Sequence, residues 1–203
     1  HKSFYDIFEG SRRAHGVFNI GQNGTGLKQQ GVAKTIKTAG PTSENWSAHL
    51  KGQAGLGIIP INEENQVRWG AIDIDTYSLD IPELVQKIHS FKLPLVVCRS
   101  KSGGAHVFCF VDKFIPAGDM QDKLRELAAG LGYGGVEIFP KQREVLVDRG
   151  DIGSWLNMPY FEGENSVRYG YNPKGVALSP EEFVAYVRSQ TISHEEVLKL
   201  KVP

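Results

Sequence analysis

Two apolar runs that flank a short glycine turn place the strongest constraint on the fold of this chain. The runs are LPLVVCRS (93–100) and AHVFCFVD (105–112), and KSGG lies between them. β-Branched and aromatic residues favour strands, and a short Gly-containing turn between two such runs is typical of a β-hairpin. We therefore expect an antiparallel hairpin near the middle of the chain. If KSGG is the whole loop, Arg99 pairs with His106, and His106 lies on the face opposite the cysteines.

Helical and strand-like patterns alternate along the rest of the chain, which predicts an α/β or α+β fold. Pro82 in a first turn and a Ser179–Glu182 capping box mark the starts of two helices. The predicted helices span residues 45–50, 81–91, 117–132, 179–190 and 192–200. The predicted strands outside the hairpin span residues 16–20, 55–61, 69–77, 135–140 and 144–148.

Composition excludes several classes of protein. The chain has 203 residues, of which 40% are hydrophobic and 23% are charged, as in an ordinary globular domain. No apolar run approaches the roughly 18 residues that a membrane helix needs, so we expect no membrane partner. Cys98 and Cys109 lack the CxxC spacing of a metal site. We expect two buried, reduced thiols in a cytoplasmic protein.

Charge is unevenly distributed although its net value is zero. Residues 1–51 are mainly basic, and residues 62–83 are mainly acidic. A basic surface can follow a phosphate backbone, but an ordinary solvated surface has the same composition, and both interpretations stay open here. The candidate contacts to nucleic acid are Arg12, Arg13, Lys28, Lys34 and Lys37.

Two acidic residues interrupt a strand-like run in WGAIDIDTY (69–77). Side chains alternate along a strand, so Asp73 and Asp75 share one face. Burying two like charges together is unfavourable unless a positive charge lies between them. Glu137 likewise stands where GGVEIFPKQ predicts a strand. Three carboxylates on strands suit a divalent cation such as Mg²⁺, although an ion-paired edge strand is the structural alternative.

The hairpin loop has the composition of an anion site. Arg99 and Lys101 supply positive charge, and Ser102 and Gly103 leave backbone N–H groups uncrowded. His106 adds a further donor beside them. A carboxylate cluster with a separate basic loop suits phosphoryl transfer, in which metal ions clamp the reacting oxygens and basic groups hold the remaining phosphates.

These residues resemble the catalytic motifs of archaeo-eukaryotic primases. AIDID, RSKSGGAHVF and VEIFPKQ occur in that order, and the closest resemblance is to primase-polymerases of phages, plasmids and TOTE conflict systems. HLKGQAGLGIIPI and GSWLNMPYF are also similar to segments of that group, so the likeness covers roughly residues 45–161. It implies one primase-polymerase domain over residues 1–203. An N-terminal α/β module (approximately 1–68) would pack on an RRM-like catalytic module (69–203), with the active site between them.

The resemblance also implies roles for individual residues. Asp73, Asp75 and Glu137 would be the catalytic ligands of two Mg²⁺ or Mn²⁺ ions. Many relatives have aspartate at the third position, so Asp148, which we also expect on a strand, is the alternative to Glu137. The spacing and the FPKQ continuation favour Glu137. The residues implied or suited by charge to bind the nucleotide are Arg99, Lys101, Ser102, Gly103, His106 and Lys141.

The implied activity is template-directed nucleotidyl transfer by a DNA primase-polymerase. Its partners would be nucleoside triphosphates, a single-stranded DNA template with its primer, and a helicase domain or protein, in the cytoplasm of a bacterial or phage-infected cell. A metal-dependent nuclease and a non-catalytic single-strand-binding module stay open as alternatives. The sequence leaves open the choice between ribo- and deoxyribonucleotides, and between starting strands and extending them.

Overall fold

A computed structural model of the chain describes residues 1–20, 31–76 and 78–203. Its framework is two four-stranded antiparallel sheets. The strands are β1 (His15–Ile20), β2 (Gly31–Ile36), β3 (Gly55–Ile58), β4 (Gln66–Ile74), β5 (Val96–Arg99), β6 (Ala105–Pro116), β7 (Glu137–Phe139) and β8 (Leu156–Asn157). The helices are α1 (Lys2–Ile7), α2 (Ser43–Leu50), α3 (Ile81–Ser90), α4 (Ala117–Gly130), α5 (Pro180–Gln190) and α6 (His194–Lys199). In the described ranges, no helix combines the length and the hydrophobicity that crossing a bilayer requires.

The second sheet has the strand order β5-β6-β4-β7. Together with α3 and α4 it follows the sequence β4-α3-β5-β6-α4-β7, which is the βαββαβ pattern of ferredoxin-like folds. Strand, helix and turn signals in the sequence agree with this pattern. The predicted α+β fold with an RRM-like sheet is therefore confirmed.

The first sheet has the order β2-β1-β3-β8 and draws on both ends of the domain. β8 comes after the whole βαββαβ unit, and it returns to pair with β3 through Gly57 and Asn157. The predicted module boundary near residue 68 falls inside β4, and the first sheet also receives β8 from beyond that point. This return brings residues 156–159 beside the second sheet.

Phe8, which follows α1, is at the centre of a buried cluster rich in aromatic rings, and we call this whole cluster the aromatic core. Its ring is 1% exposed. Five aromatic side chains have centroids 5.3–6.3 Å from it, namely Trp46, Trp69, Phe108, Phe110 and Phe183. They come from α2, β4, β6 and α5, so one ring near the N-terminus joins two helices to two strands of the second sheet. The sequence did not predict α1 or β2.

The other face of the second sheet packs against helices α3 and α4. Ile72 and Ile74 of β4 belong to the same buried cluster as Leu84 of α3 and Leu124 of α4. β4 is therefore covered on both faces, which explains why its sequence is a nearly continuous apolar run. Asp73 stands out in this strand because it lies between the buried residues Ile72 and Ile74, with its side chain 21% exposed.

The central hairpin is confirmed, but its register differs by one residue from the prediction. The Ser100 amide donates to the Gly104 carbonyl at 2.9 Å, so the loop holds residues 100–104 instead of KSGG alone. Cys98 consequently pairs with His106, and Arg99 pairs with Ala105. A one-residue shift of register moves every side chain of a strand to the other face.

The two cysteines accordingly lie on opposite faces of the sheet. Cys98 shares the face of its register partner His106 and belongs to the aromatic core, whereas Cys109 belongs to the helix-covered cluster. The prediction that His106 faces away from both is wrong for Cys98. Both thiols are free and buried, as predicted. Burial raises the pKa of Cys98 and raises that of Cys109 to about 12.

The strand predicted over residues 144–148 is wrong. Residues Val147–Arg149 form a short 3₁₀ turn, and Leu146 is exposed. Asp151 accepts a hydrogen bond from the Leu146 amide (3.1 Å) and pairs with Arg149 (2.6 Å). Such local bonds offer the backbone an alternative to strand pairing.

Candidate active site

A row of polar side chains crosses the end of the second sheet. Asp73 on β4 pairs directly with His106 on β6 and with Glu137 on β7. Directly paired residues of antiparallel strands lie on one face, with Cβ atoms about 4.5–5.5 Å apart. The next row on this face is Ala71, Phe108 and Phe139, which belong to the aromatic core. The polar row therefore marks the place where the packed core ends.

Asp73 and His106 also contact each other through their side chains. Asp73 Oδ1 lies 3.3 Å from His106 Nε2, and the two side chains are 21% and 12% exposed. Such a contact orients the carboxylate and the imidazole toward a common space. The sequence predicted both residues for the site but did not predict this contact, because it depends on the non-local pairing of β4 with β6.

A pocket of about 190 Å³ opens beside this row. Asp73 and Asp75 both line it, although β4 ends at Ile74, so Asp75 follows the strand instead of lying on it as predicted. The structure therefore brings the two aspartates together with most of the predicted anion-binding loop. The loop and strand residues of the pocket are Arg99, Ser100, Lys101, Ser102 and His106, and its remaining lining consists of Asn157, Met158, Pro159 and Arg168.

Glycines allow the hairpin loop to pack against the aspartate strand. Gly103 has φ = +88°, a backbone conformation that glycine adopts readily. A Cβ atom on Gly104 would lie 2.2 Å from the Ile74 carbonyl oxygen, immediately before Asp75. Lys101 reaches in the other direction, with Nζ 3.4 Å from the centroid of the Phe18 ring. The loop thus contacts both sheets.

Glu137, Lys141 and Gly103 do not line this pocket. The Glu137 side chain is 60% exposed, and its Oε1 lies 3.3 Å from Lys141 Nζ. Lys141 thus neutralises the third acid, while its Nζ is also 5.2 Å from the Phe139 ring. Asp148, the alternative third acid, is exposed on the 3₁₀ turn and is not a register partner of Asp73, unlike Glu137.

The carboxylates fit a divalent cation in their chemistry and in their backbone positions. Hard cations prefer carboxylate oxygens, and Asp73 and Glu137 supply them from one end of a sheet, while Asp75 supplies them from just beyond β4. Within residues 1–20, 31–76 and 78–203, no three side chains of the metal-binding types already converge on one point. The Glu137 carboxylate is paired with Lys141 instead.

Arg168 and Asn157 are pocket residues that the sequence analysis missed. The Arg168 residue is 5% exposed, and one of its terminal nitrogens donates to the Met158 carbonyl at 3.4 Å. Burial lowers the pKa of this guanidinium, and the charge of Glu162 opposes that shift. Asn157 Oδ1 is buried without a hydrogen-bond partner. Asn157 stands in GSWLNMPYF, and that segment was its only signal in the sequence. Arg168 belongs to no motif or periodic pattern, so only the return of the chain through β8 reveals it.

A third missed residue, His49 of α2, fixes the wall of the pocket through its bond to Pro159. Its Nδ1 accepts from the Leu56 amide (2.9 Å), so its Nε2 carries the proton that is donated to the Pro159 carbonyl (2.8 Å). Burial lowers the pKa of His49 to about 4, with a further lowering from Arg168, against the hydrogen bond to Pro159. His49 is therefore neutral at pH 7. It stands first in HLKGQAGLGIIPI, and that segment was its only signal in the sequence.

The basic side chains that are candidate contacts to nucleic acid differ in exposure and in whether they already bond to other residues. Lys34 on edge strand β2 and Lys37 just after it are exposed. Arg12 pairs with Glu9, and Arg13 donates to the Asp151 carbonyl at 2.7 Å. Lys28 lies outside the described residues. Lys34 and Lys37 are thus the exposed cations of this set for which no protein contact is seen in the described part of the chain.

Comparison with known families adds independent information. The chain matches the model of the archaeo-eukaryotic primase domain of TOTE conflict systems over residues 25–168, which is more than two thirds of its length. None of the curated proteins compared with the chain matches it. The matched range contains both aspartates of the pocket, the hairpin and Glu137, and it ends at Arg168. The chain belongs to the archaeo-eukaryotic primase domain family of TOTE conflict systems, within a superfamily of primase and nucleotidyltransferase type.

Proposed function

We propose that this domain is a primase-polymerase that joins nucleoside triphosphates on a single-stranded DNA template. The observation that carries this proposal is the pocket in which Asp73 and Asp75 face a cation-rich hairpin loop. Carboxylates and cations with a space between them suit a substrate that is itself a metal-bound polyanion. A nucleoside triphosphate has that composition.

The three carboxylates would hold the divalent ions. Asp73, Asp75 and Glu137 would hold Mg²⁺ or Mn²⁺, with Glu137 released from Lys141 for that purpose. Divalent ions bound there would supply Lewis-acid activation of the attacking 3′-hydroxyl and stabilise the pyrophosphate leaving group. His106 would keep the Asp73 carboxylate turned toward the pocket through its Nε2 contact.

The hairpin would hold the phosphates. Arg99 and Lys101 supply charge, and the uncrowded amides around Ser102 and Gly103 supply hydrogen bonds to oxyanions. His106 lies between the loop and Asp73, so it can reach a phosphate close to the metal. A metal-dependent nuclease could use the same acids, but it does not need this concentration of cations beside them.

We expect His106→Ala to weaken binding of a nucleoside triphosphate by about tenfold to 100-fold. A hydrogen bond to a charged group contributes about 1.5–3 kcal/mol, which corresponds to that range. Affinity for single-stranded DNA should change less than about twofold. Calorimetric titration with nucleotide and with DNA measures both. His89→Ala, an exposed histidine on α3, is the matched control and should alter neither affinity. Loss of DNA binding with nucleotide affinity intact would make the hairpin a DNA contact.

We also propose that Lys34 and Lys37 contact phosphates of the template. Lys34 is exposed on β2 of the first sheet and Lys37 is exposed just after it. Each phosphate contact on a single strand contributes about −0.7 to the log–log salt slope of binding. Replacing both by Gln should flatten that slope by roughly one unit without changing nucleotide affinity. Fluorescence anisotropy at several salt concentrations measures the slope. The control is the double variant Lys174→Gln and Lys201→Gln, in which both lysines are exposed. An unaltered salt slope in the Lys34 and Lys37 variant would mean that these two lysines belong to an ordinary solvated surface.

A further inference from the structure

Three cations line the active-site pocket from two separate segments of the chain. Arg99 and Lys101 come from the hairpin, whereas Arg168 comes from the segment after β8. In the ranges that the structure describes, none of the three forms an ion pair with a carboxylate. Glu162 acts on Arg168 through its charge without forming an ion pair with it. The nearest acids that share the pocket are Asp73 and Asp75, which the proposed function gives to the metal.

Arg168 is the most deeply placed of these cations. Its residue is 5% exposed, and its guanidinium lies 5.1 Å from the centroid of the Phe161 ring. Burying an unpaired charge is unfavourable, and buried charges are normally paired. Its one side-chain hydrogen bond to a described residue goes to the Met158 carbonyl, yet a guanidinium has five donors. None of its nitrogens is among the fully buried, unpartnered atoms of the described chain, and Arg168 lines the pocket, so its remaining donors are available to a ligand there.

Arg168 and Lys101 influence each other across this space. Burial lowers the pKa of the Lys101 ammonium, and the charge of Arg168 lowers it further. Two like charges that approach in this way are stabilised when an anion lies between them. Hence the same argument that assigns a cation to the two aspartates assigns an anion to these two basic side chains.

We propose that Arg168 is a phosphate-binding residue of the incoming nucleoside triphosphate, which it contacts from the segment after β8 while Lys101 contacts it from the hairpin. This inference rests on the proposed function and extends it to a residue outside the three motifs. The planar guanidinium can donate two parallel hydrogen bonds to one phosphate, whereas lysine acts as a single point charge. Stacking against Phe161 and the bond to Met158 hold the guanidinium in place before the nucleotide arrives.

The test compares Arg168→Gln with the wild-type chain, with Arg125→Gln on the exposed side of α4 as the matched control. Calorimetry with a nucleoside triphosphate and Mg²⁺, and separately with inorganic triphosphate, gives the affinities. We expect Arg168→Gln to weaken both by about tenfold or more and Arg125→Gln to weaken neither. Circular dichroism establishes that each variant is folded. If Arg168→Gln does not fold, Arg168→Lys decides, and it should lose at least about threefold because the paired donors are gone.

Each outcome bears on the inference. Unchanged affinity for both ligands in folded Arg168→Gln overturns it, as does wild-type affinity in Arg168→Lys where only that variant folds. A loss for the nucleotide without a loss for inorganic triphosphate also overturns it, since Arg168 would then contact the nucleoside or act through the fold. If the wild-type chain binds nucleoside triphosphate and extends primers while Arg168→Gln is unaffected, the proposed function stands and only the role of Arg168 fails. If the wild-type chain binds neither ligand, both fail.

Discussion

Asp73→Asn is expected to reduce nucleotidyl transfer by roughly 1,000-fold or more while the domain stays folded. Asp73 is the central residue of the site, because it pairs with His106 on one neighbouring strand and with Glu137 on the other. Loss of a metal-binding carboxylate removes several kcal/mol of transition-state stabilisation, and each 1.36 kcal/mol corresponds to about tenfold in rate. Asparagine keeps the size of the side chain, so the packing of β4 is preserved.

The measurement is primer extension under single-turnover conditions with Mn²⁺, together with a thermal unfolding curve. Asp112→Asn is the matched control, since Asp112 is exposed on β6 of the same sheet and does not line the pocket. We expect wild-type rates from the control. An Asp73→Asn variant with undiminished primer extension would show that Asp73 holds no catalytic metal ion.

Phe8→Ala should destabilise the domain by about 3–5 kcal/mol, which is the usual range for removing a fully buried phenylalanine. Phe8 contacts five aromatic rings of the aromatic core, and these rings belong to α2, to α5 and to strands β4 and β6 of the second sheet. Such a loss is a large fraction of the roughly 5–15 kcal/mol by which domains are stable. Urea unfolding followed by tryptophan fluorescence measures it.

Phe114→Ala is the comparison variant, because this phenylalanine is only partly buried and has Arg68 over its ring at 5.9 Å. Its cost should be clearly smaller than that of Phe8→Ala. Phe8 precedes residue 25, where the family match begins. Equal, small effects of the two substitutions would therefore mean that the N-terminal segment is not part of the cooperative unit.

Local patterns predicted the central elements well. The Ser179–Glu182 capping box was read from four residues, and the box is present at the start of α5. The apolar patterns of β4, the hairpin and α4 predicted these elements because each element buries the residues that form its pattern. Asp73 and Asp75 were predicted to share a face for the same reason, and they share the pocket.

The errors arose where non-local contacts or side-chain bonds to the backbone decide the structure. The hairpin register depends on the bond from Ser100 to Gly104, which no strand pattern encodes. The run before Asp148 has strand-like composition, yet Asp151 bonds the Leu146 amide and closes a turn instead. α1 gave no clear helical signal, because tertiary contacts of Phe4 and Phe8 stabilise it more than local propensity does.

The pocket was predictable only in part. The residues of the three motifs could be assigned because each is unusual for its position in a strand or a turn. Arg168 and His49 could not, since one needs the return of the chain through β8 and the other depends on two backbone partners, Leu56 and Pro159. Single-sequence reasoning identifies unusual residues more readily than ordinary residues in unusual surroundings.

The most direct test of the central claim is release of pyrophosphate by the wild-type chain on a primed single-stranded template with nucleoside triphosphates and Mn²⁺. The proposed function predicts that pyrophosphate appears in step with primer elongation, that both need the template, and that both cease in Asp73→Asn. Shortening of the DNA without pyrophosphate would identify a nuclease. DNA binding with neither product, equal in wild type and Asp73→Asn, would identify a non-catalytic binding module, and either result would contradict the account.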